Sequence, residues 1–150
     1  MRATRVDAPS VDTPTAVAVR ACGTADSVAL VSLRGEFDIE TVPEIDSSLR
    51  RALGPFFHAR HLVMDLSEAT LVDSTFISYV VRLTGNVRAE GCDVVLARPR
   101  GHVRRVLRTV GVQNVLPIYD SLETALDVAL TDEVPMIPPS LPQSPPPDTL

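Results

Sequence analysis

The chemistry this chain could do is concentrated in Asp73-Ser74-Thr75, where one acid and two hydroxyls stand in a row ahead of the apolar pair Phe76-Ile77. An aspartate there suits the N-cap of a helix, because its carboxylate accepts bonds from the free N–H groups of the first turn. Read locally, the triplet is a helix start and nothing more. Other signatures of catalysis are missing. Neither GxGxxG nor GxxxxGK[ST] occurs, so no phosphate-cradling loop is expected, and there is no GxSxG nucleophile elbow. His58, His61 and His102 have no helical i,i+4 partner and no carboxylates at metal-ligand spacing, and read as surface or loop residues. All 14 basic side chains are arginine, which removes Schiff-base chemistry and any phosphate-loop lysine. The expectation is a protein that is not an enzyme and holds neither cofactor nor metal. Arg98, Arg100, Arg104, Arg105 and Arg108 cluster late in the chain, either as a solvated basic face or as a patch that meets an acidic partner or a phosphate.

The elements that must position these residues follow from hydrophobic periodicity. Val28–Leu33 (VALVSL) reads as a buried strand ending at Arg34-Gly35. Val42, Ile45, Leu49 and Leu53 recur at helical spacing; Thr41 could cap that helix, Pro43 suits its first turn and Gly54-Pro55 stops it. His61–Leu66 (HLVMDL) is a second strand that runs into a turn. A helix from about Ser74 to Ala89 follows, apolar nearly all round in its first half and therefore expected in the core. Asp93–Ala97 is a third strand, and Val103, Val106, Leu107 and Val110 mark a helix ended by Gly111. Val115–Ile118 reads as a short strand at an edge or end because of Pro117. Leu122, Ala125, Leu126, Ala129 and Leu130 form a last amphipathic helix, and residues 16–22 add a first edge strand. Strands alternating with helices imply a largely parallel sheet. The expected fold is α/β, a single domain whose mixed four- to five-stranded sheet, with its opening pair antiparallel, packs with about four helices.

The 150 residues are 45% hydrophobic and 22% charged, enough for one core. A net charge of −5 argues against a general nucleic-acid binder, whose affinity rests on clustered cations. No run approaches the ~18 apolar residues of a membrane span, and the opening residues lack a secretory apolar stretch. A cytoplasmic location is expected, consistent with only two cysteines, Cys22 and Cys92. Residues 1–14 are polar and expected to be flexible, residues 15–131 form the domain, and residues 132–150, rich in proline, are expected to be a disordered tail.

The pattern of a hydrophobic strand, Asp65-Leu66-Ser67, the apolar pair Leu71-Val72 and then Asp73-Ser74-Thr75 at a helix start resembles the STAS domain of bacterial anti-sigma factor antagonists. Upstream, Leu33–Asp38 (LRGEFD) is similar to that family's Gly-Glu-hydrophobic-Asp signature, about 35 residues before the helix-start acid. The resemblance covers about residues 15–131. It implies that Ser74 is phosphorylated by an anti-sigma factor with serine kinase activity, with Thr75 a lesser candidate. The unphosphorylated protein would bind that kinase and free the sigma factor. Asp38, Asp73, Ser74, Thr75 and Phe76 would form the partner-binding surface, with no direct contact to nucleic acid or membrane.

A phosphate adds about −1.5 to −2 charge to a spot that Asp38 and Asp73 already make acidic. Release by local repulsion and desolvation is then expected, needing roughly 5 kcal/mol of differential to turn mostly bound into mostly free. The sequence departs from the family at Phe76, where glycine is commonest two residues after the acceptor. That phenylalanine either turns inward as core or sits on the docking surface as an apolar anchor. The departure lends weight to the alternative, a non-catalytic STAS scaffold subunit of a signalling assembly that binds other STAS proteins.

Overall fold

The computed structural model describes residues 14–134. Five strands and four helices alternate along the chain: β1 Ala16–Cys22, β2 Val28–Phe37, α1 Val42–Leu53, β3 His61–Val72, α2 Ser74–Ala89, β4 Val94–Ala97, α3 Gly101–Val110, β5 Ile118–Tyr119 and α4 Leu122–Leu130. The sheet runs β1-β2-β3-β4-β5, with β1 antiparallel to β2 and every later pair parallel. This is the mixed α/β domain that the periodicity implied.

Alternation along the central strands sorts the core into two layers. Ala29, Val31, Leu62, Met64, Leu66, Val94 and Leu96 face one side, where they pack with α1, α2 and α3. Val28, Val63, Val95 and Ala97 face the other side, against Ala125 and Ala129 of α4. Because β2, β3 and β4 are parallel neighbours, the helices that follow them all begin at one end of the sheet. α1, α2 and α3 therefore start side by side along a common rim.

Three local readings are corrected by the structure. β2 does not stop at Arg34-Gly35 but continues to Phe37. Gly35 stays in the ladder at φ +91°, and a Cβ built on it would lie 2.8 Å from the Cα of Thr15. Both the dihedral and the close approach require glycine. β3 does not turn after Leu66 but runs on through Val72. Ser32 pairs with Asp65 but Arg34 with Glu68, and Gly35 pairs with Ala69 but Glu36 with Leu71. Twice, therefore, β3 carries one residue more than its neighbour. These bulges break the two-residue period, so the segment reads as a turn although it is paired.

The last strand is Ile118–Tyr119 rather than Val115–Ile118. Val112–Asn114 forms a single 3-10 turn, Val115 and Leu116 sink into the core, and the pairing begins when Leu96 N–H donates to Pro117 O at 3.0 Å. Proline accepts where it cannot donate. The expectations for the two ends of the chain fall mostly on residues 1–13 and 135–150, outside the described residues. Among the described residues no helix is long and apolar enough to cross a membrane.

Candidate functional site

Phe37 and Val72 are partners in the parallel β2–β3 ladder, so the residues after them, Asp38 and Asp73, leave adjacent strands at the same end. The two acids that stand about 35 residues apart in sequence are thus neighbours on the rim. Beneath them the rings of Phe37 and Phe76 pack at 6.2 Å between centroids, tilted by 50°.

Asp73 is the N-cap of α2, with extended backbone; its Oδ1 accepts from Thr75 N–H at 2.9 Å and from Phe76 N–H at 3.2 Å. Ser74 is the first helical residue and is exposed, whereas Thr75 is half-buried. Phe76 has no exposed surface. Its expected share in a partner-binding surface is therefore corrected: of the two orientations open to it, the inward one is adopted. The apolar interior formed with Phe37 favours the ring over exposure by roughly 2–3 kcal/mol. Phenylalanine in place of glycine changes the core under the helix and leaves its outer face at Ser74 unobstructed.

Asp38 folds its own loop. Its Oδ1 accepts from Glu40 N–H at 2.9 Å and from Thr41 N–H at 3.2 Å. Thr41 occupies the N-cap position of α1, but its hydroxyl makes no capping bond. It donates to Glu36 O at 2.7 Å and accepts from Asp38 N–H at 2.9 Å. The loop is thereby held shut by short-range bonds, and Ile39 at its tip is 72% exposed between Asp38 and Glu40. Ile39 is a candidate contact that sequence reasoning missed. Its signal was available: an apolar residue directly after the Gly-Glu-hydrophobic-Asp stretch, belonging to no strand or helix period.

Other residues singled out from sequence lie elsewhere. His61 is not a surface histidine but buried, with 8% exposure, at the opposite end of β3. Its Nδ1 accepts from Asp93 N–H at 3.1 Å, so Nε2 carries the proton and donates to Asp132 Oδ1 at 2.6 Å. His58 stacks on Phe57, and His102 is exposed on α3. Arg98, at φ +55°, turns back over the sheet to grip Asp65 through Nε at 3.1 Å and Nη2 at 2.7 Å. Burial alone would raise the Asp65 carboxyl. The Arg98 hydrogen bonds, the Ser67 N–H and the Arg98 charge outweigh it and hold Asp65 below the ordinary carboxylate value. Cys92 shifts the other way: burial first, then the charges of Asp132, Glu90 and Asp93, push its thiol up, which disfavours the reactive thiolate. No group of three or more His, Cys, Asp or Glu side chains suited to a metal ion occurs among the described residues.

A family model described as "STAS domain" matches residues 22–125. Among solved structures, a Thermotoga maritima protein assigned as an anti-sigma factor antagonist superposes with a TM-score of 0.65 at 19% identity, over 75% of this chain and 93% of that one. An anti-sigma factor antagonist from Mycobacterium paratuberculosis gives 0.61 at 24% identity, over 79% and 94%. The anti-sigma factor antagonist SpoIIAA in its unphosphorylated form gives 0.52 at 19% identity, over 73% and 96%. At these identities the likeness is one of fold.

Proposed function

For a chain that belongs to the STAS domain family, we propose the role of an anti-sigma factor antagonist that binds a kinase-type anti-sigma factor and is released when Ser74 is phosphorylated. The observation that carries this reading is the placement of Ser74. Its side chain leaves the first residue of α2 into solvent, on a helix whose inward residues Phe76, Tyr79, Val80 and Leu83 are buried. A hydroxyl so held can enter a kinase site without unfolding. In the transfer, Ser74 Oγ would bond to the γ-phosphorus of ATP and the bond to the bridging oxygen would break. ADP would leave and the hydroxyl proton would pass to a base on the kinase.

The bonding of Asp73 sets what the phosphate would meet. The first-turn amides of Thr75 and Phe76 already donate to the Asp73 carboxylate. A phosphoryl group on Ser74 would find those donors occupied and a carboxylate beside it. It would project outward, carrying about −1.5 to −2 charge into any interface formed over Asp38 and Ile39. Repulsion and the cost of desolvating a dianion against a packed surface favour release. The scaffold itself need not move. Thr75, half-buried with its amide engaged, is the weaker acceptor.

The test uses purified chain, ATP and the anti-sigma kinase encoded in the same genome. Label should enter at Ser74, and Ser74→Ala should take none and stay bound. Ser74→Asp should weaken binding by at least about 100-fold, the equivalent of about 2.7 kcal/mol, with an unchanged unfolding midpoint. Equal affinity of Ser74→Asp and the unmodified chain would overturn the switch. Stable assembly with other STAS chains, indifferent to Ser74, would support the scaffold reading instead.

A further inference from the structure

The rim on which Ser74 lies is electrically polarised, and one of its helices is written against its own stability. α1 follows the helix dipole, with Glu44 in its first turn and Arg50 and Arg51 in its last. The N-terminal half of α3 does the reverse, although Arg108 in the helix's last turn follows the dipole. Its N-cap is Arg100 with no side-chain capping bond, no acid stands in its first turn, and Arg104 and Arg105 follow closely. Arg100, Arg104 and Arg108 are spaced four apart, where like charges repel. Arg100, Arg105 and Arg108 are exposed, and the one ion pair made from α3 among the described residues is Arg104 with Asp120 at 2.7 Å.

Beside this face, α3 and β5 border a groove of about 230 Å³. Its floor includes Pro99, Leu107 and Ile118; Arg104, paired with Asp120, and Gln113 also line it, and Arg108 flanks it as the cation without a carboxylate partner among the described residues. β5 is the last strand of the sheet and is paired only with β4, so its outer edge can accept an extended chain.

We propose that the arginine face of α3, together with this groove, is a docking surface for an acidic segment of a partner protein. The cations would meet carboxylates, the apolar floor would take the segment's alternate side chains, and the β5 edge would bond its backbone. A nucleic acid is the other polyanion such a face could hold. It fits less well: a peptide can fill the apolar floor with side chains and bond the open strand edge through its backbone, and a phosphate backbone can do neither. The arrangement explains why α3 keeps a charge order that costs helix stability. It goes beyond the switch proposed for Ser74 and does not depend on it.

The test is fluorescence anisotropy on the full chain with labelled ten-residue probes: alternating Glu-Leu, its Gln-Leu and Lys-Leu counterparts, and a ten-nucleotide thymidine strand. The Glu-Leu probe should bind at least about 10-fold tighter than the other three and weaken as salt rises. Arg105→Glu/Arg108→Glu should lose at least 10-fold, while Arg20→Glu/Arg51→Glu, an equal charge change elsewhere, should retain binding. Arg100→Asp supplies the missing capping acid, so it should raise the unfolding midpoint by about 4 °C while weakening the probe. Equal binding of the Gln-Leu probe, equal loss in both double variants, or tighter binding of the thymidine strand would each overturn the proposal.

Discussion

The two ends of the sheet are held by different kinds of bond. At the rim end, the polar contacts of Asp38 and Asp73 are all local: Asp38 reaches Glu40 and Thr41, and Asp73 reaches Thr75 and Phe76. At the far end they cross the fold. His61 ties the start of β3 to Asp93 before β4 and to Asp132 after α4. Arg88, near the end of α2, binds Asp93 Oδ1 at 3.0 Å and Val115 O at 2.7 Å. Local bonds shape a surface without fastening separate elements together, so the rim can vary or be modified while the domain persists. The far end fastens five segments at once and leaves little freedom for change. Function can sit on the first kind of end because the second kind keeps the scaffold fixed.

Single substitutions can break or sharpen this contrast. The largest effect is expected from Phe76→Ala, which empties the packed space below the rim and should cost about 4 kcal/mol in urea unfolding. That would place the rim's stability in its interior layer and not in its surface bonds. His61→Ala at the far end should cost about 3 kcal/mol, since it opens a cavity and leaves the buried Asp93 N–H without its acceptor. Hydrogen exchange should then quicken at the start of β4 and the end of α4 and stay unchanged in the first turn of α2.

The Asp65–Arg98 pair is a further cross-fold tie, joining β3 to the end of β4, with an expected contribution of about 2 kcal/mol. The folded carboxyl of Asp65 lies below its unfolded value of 3.8. Its contribution is therefore complete above the unfolded value and is lost as pH falls through the folded one. Arg98→Met should lower stability at neutral pH and flatten this acid step in a pH series of urea melts. The smallest effect belongs to Asp73→Ala, about 1 kcal/mol for the lost cap. A cost there equal to that of His61→Ala would remove the distinction between the ends.

The rim was legible in the sequence because its bonds are short-range. Asp73 as a cap and the start of α2 at Ser74 are visible in a few consecutive residues. Thr41 shows the limit: it holds the N-cap position, yet its hydroxyl turns to Glu36 at the end of β2 and to Asp38 in the loop after it. The bulges of β3 hid its last six residues, four of them paired with β2, since each extra residue reverses the alternation by which a strand is recognised. His61, in an apolar strand start, gave no hint of partners 32 and 71 residues away.

What the sequence determined by itself is what a few neighbouring residues can enforce: periodicity, capping chemistry, turn glycines, and hence the order of elements and the position of the exposed hydroxyl. Tertiary structure decided the rest. It drew Asp38 beside Asp73, turned Phe76 inward on Phe37, bent Arg98 to Asp65 and sank His61 between two aspartates. Those outcomes depend on which surfaces meet when the parallel strands pair, a competition among distant groups for burial and for bonds that no local stretch of chain contains.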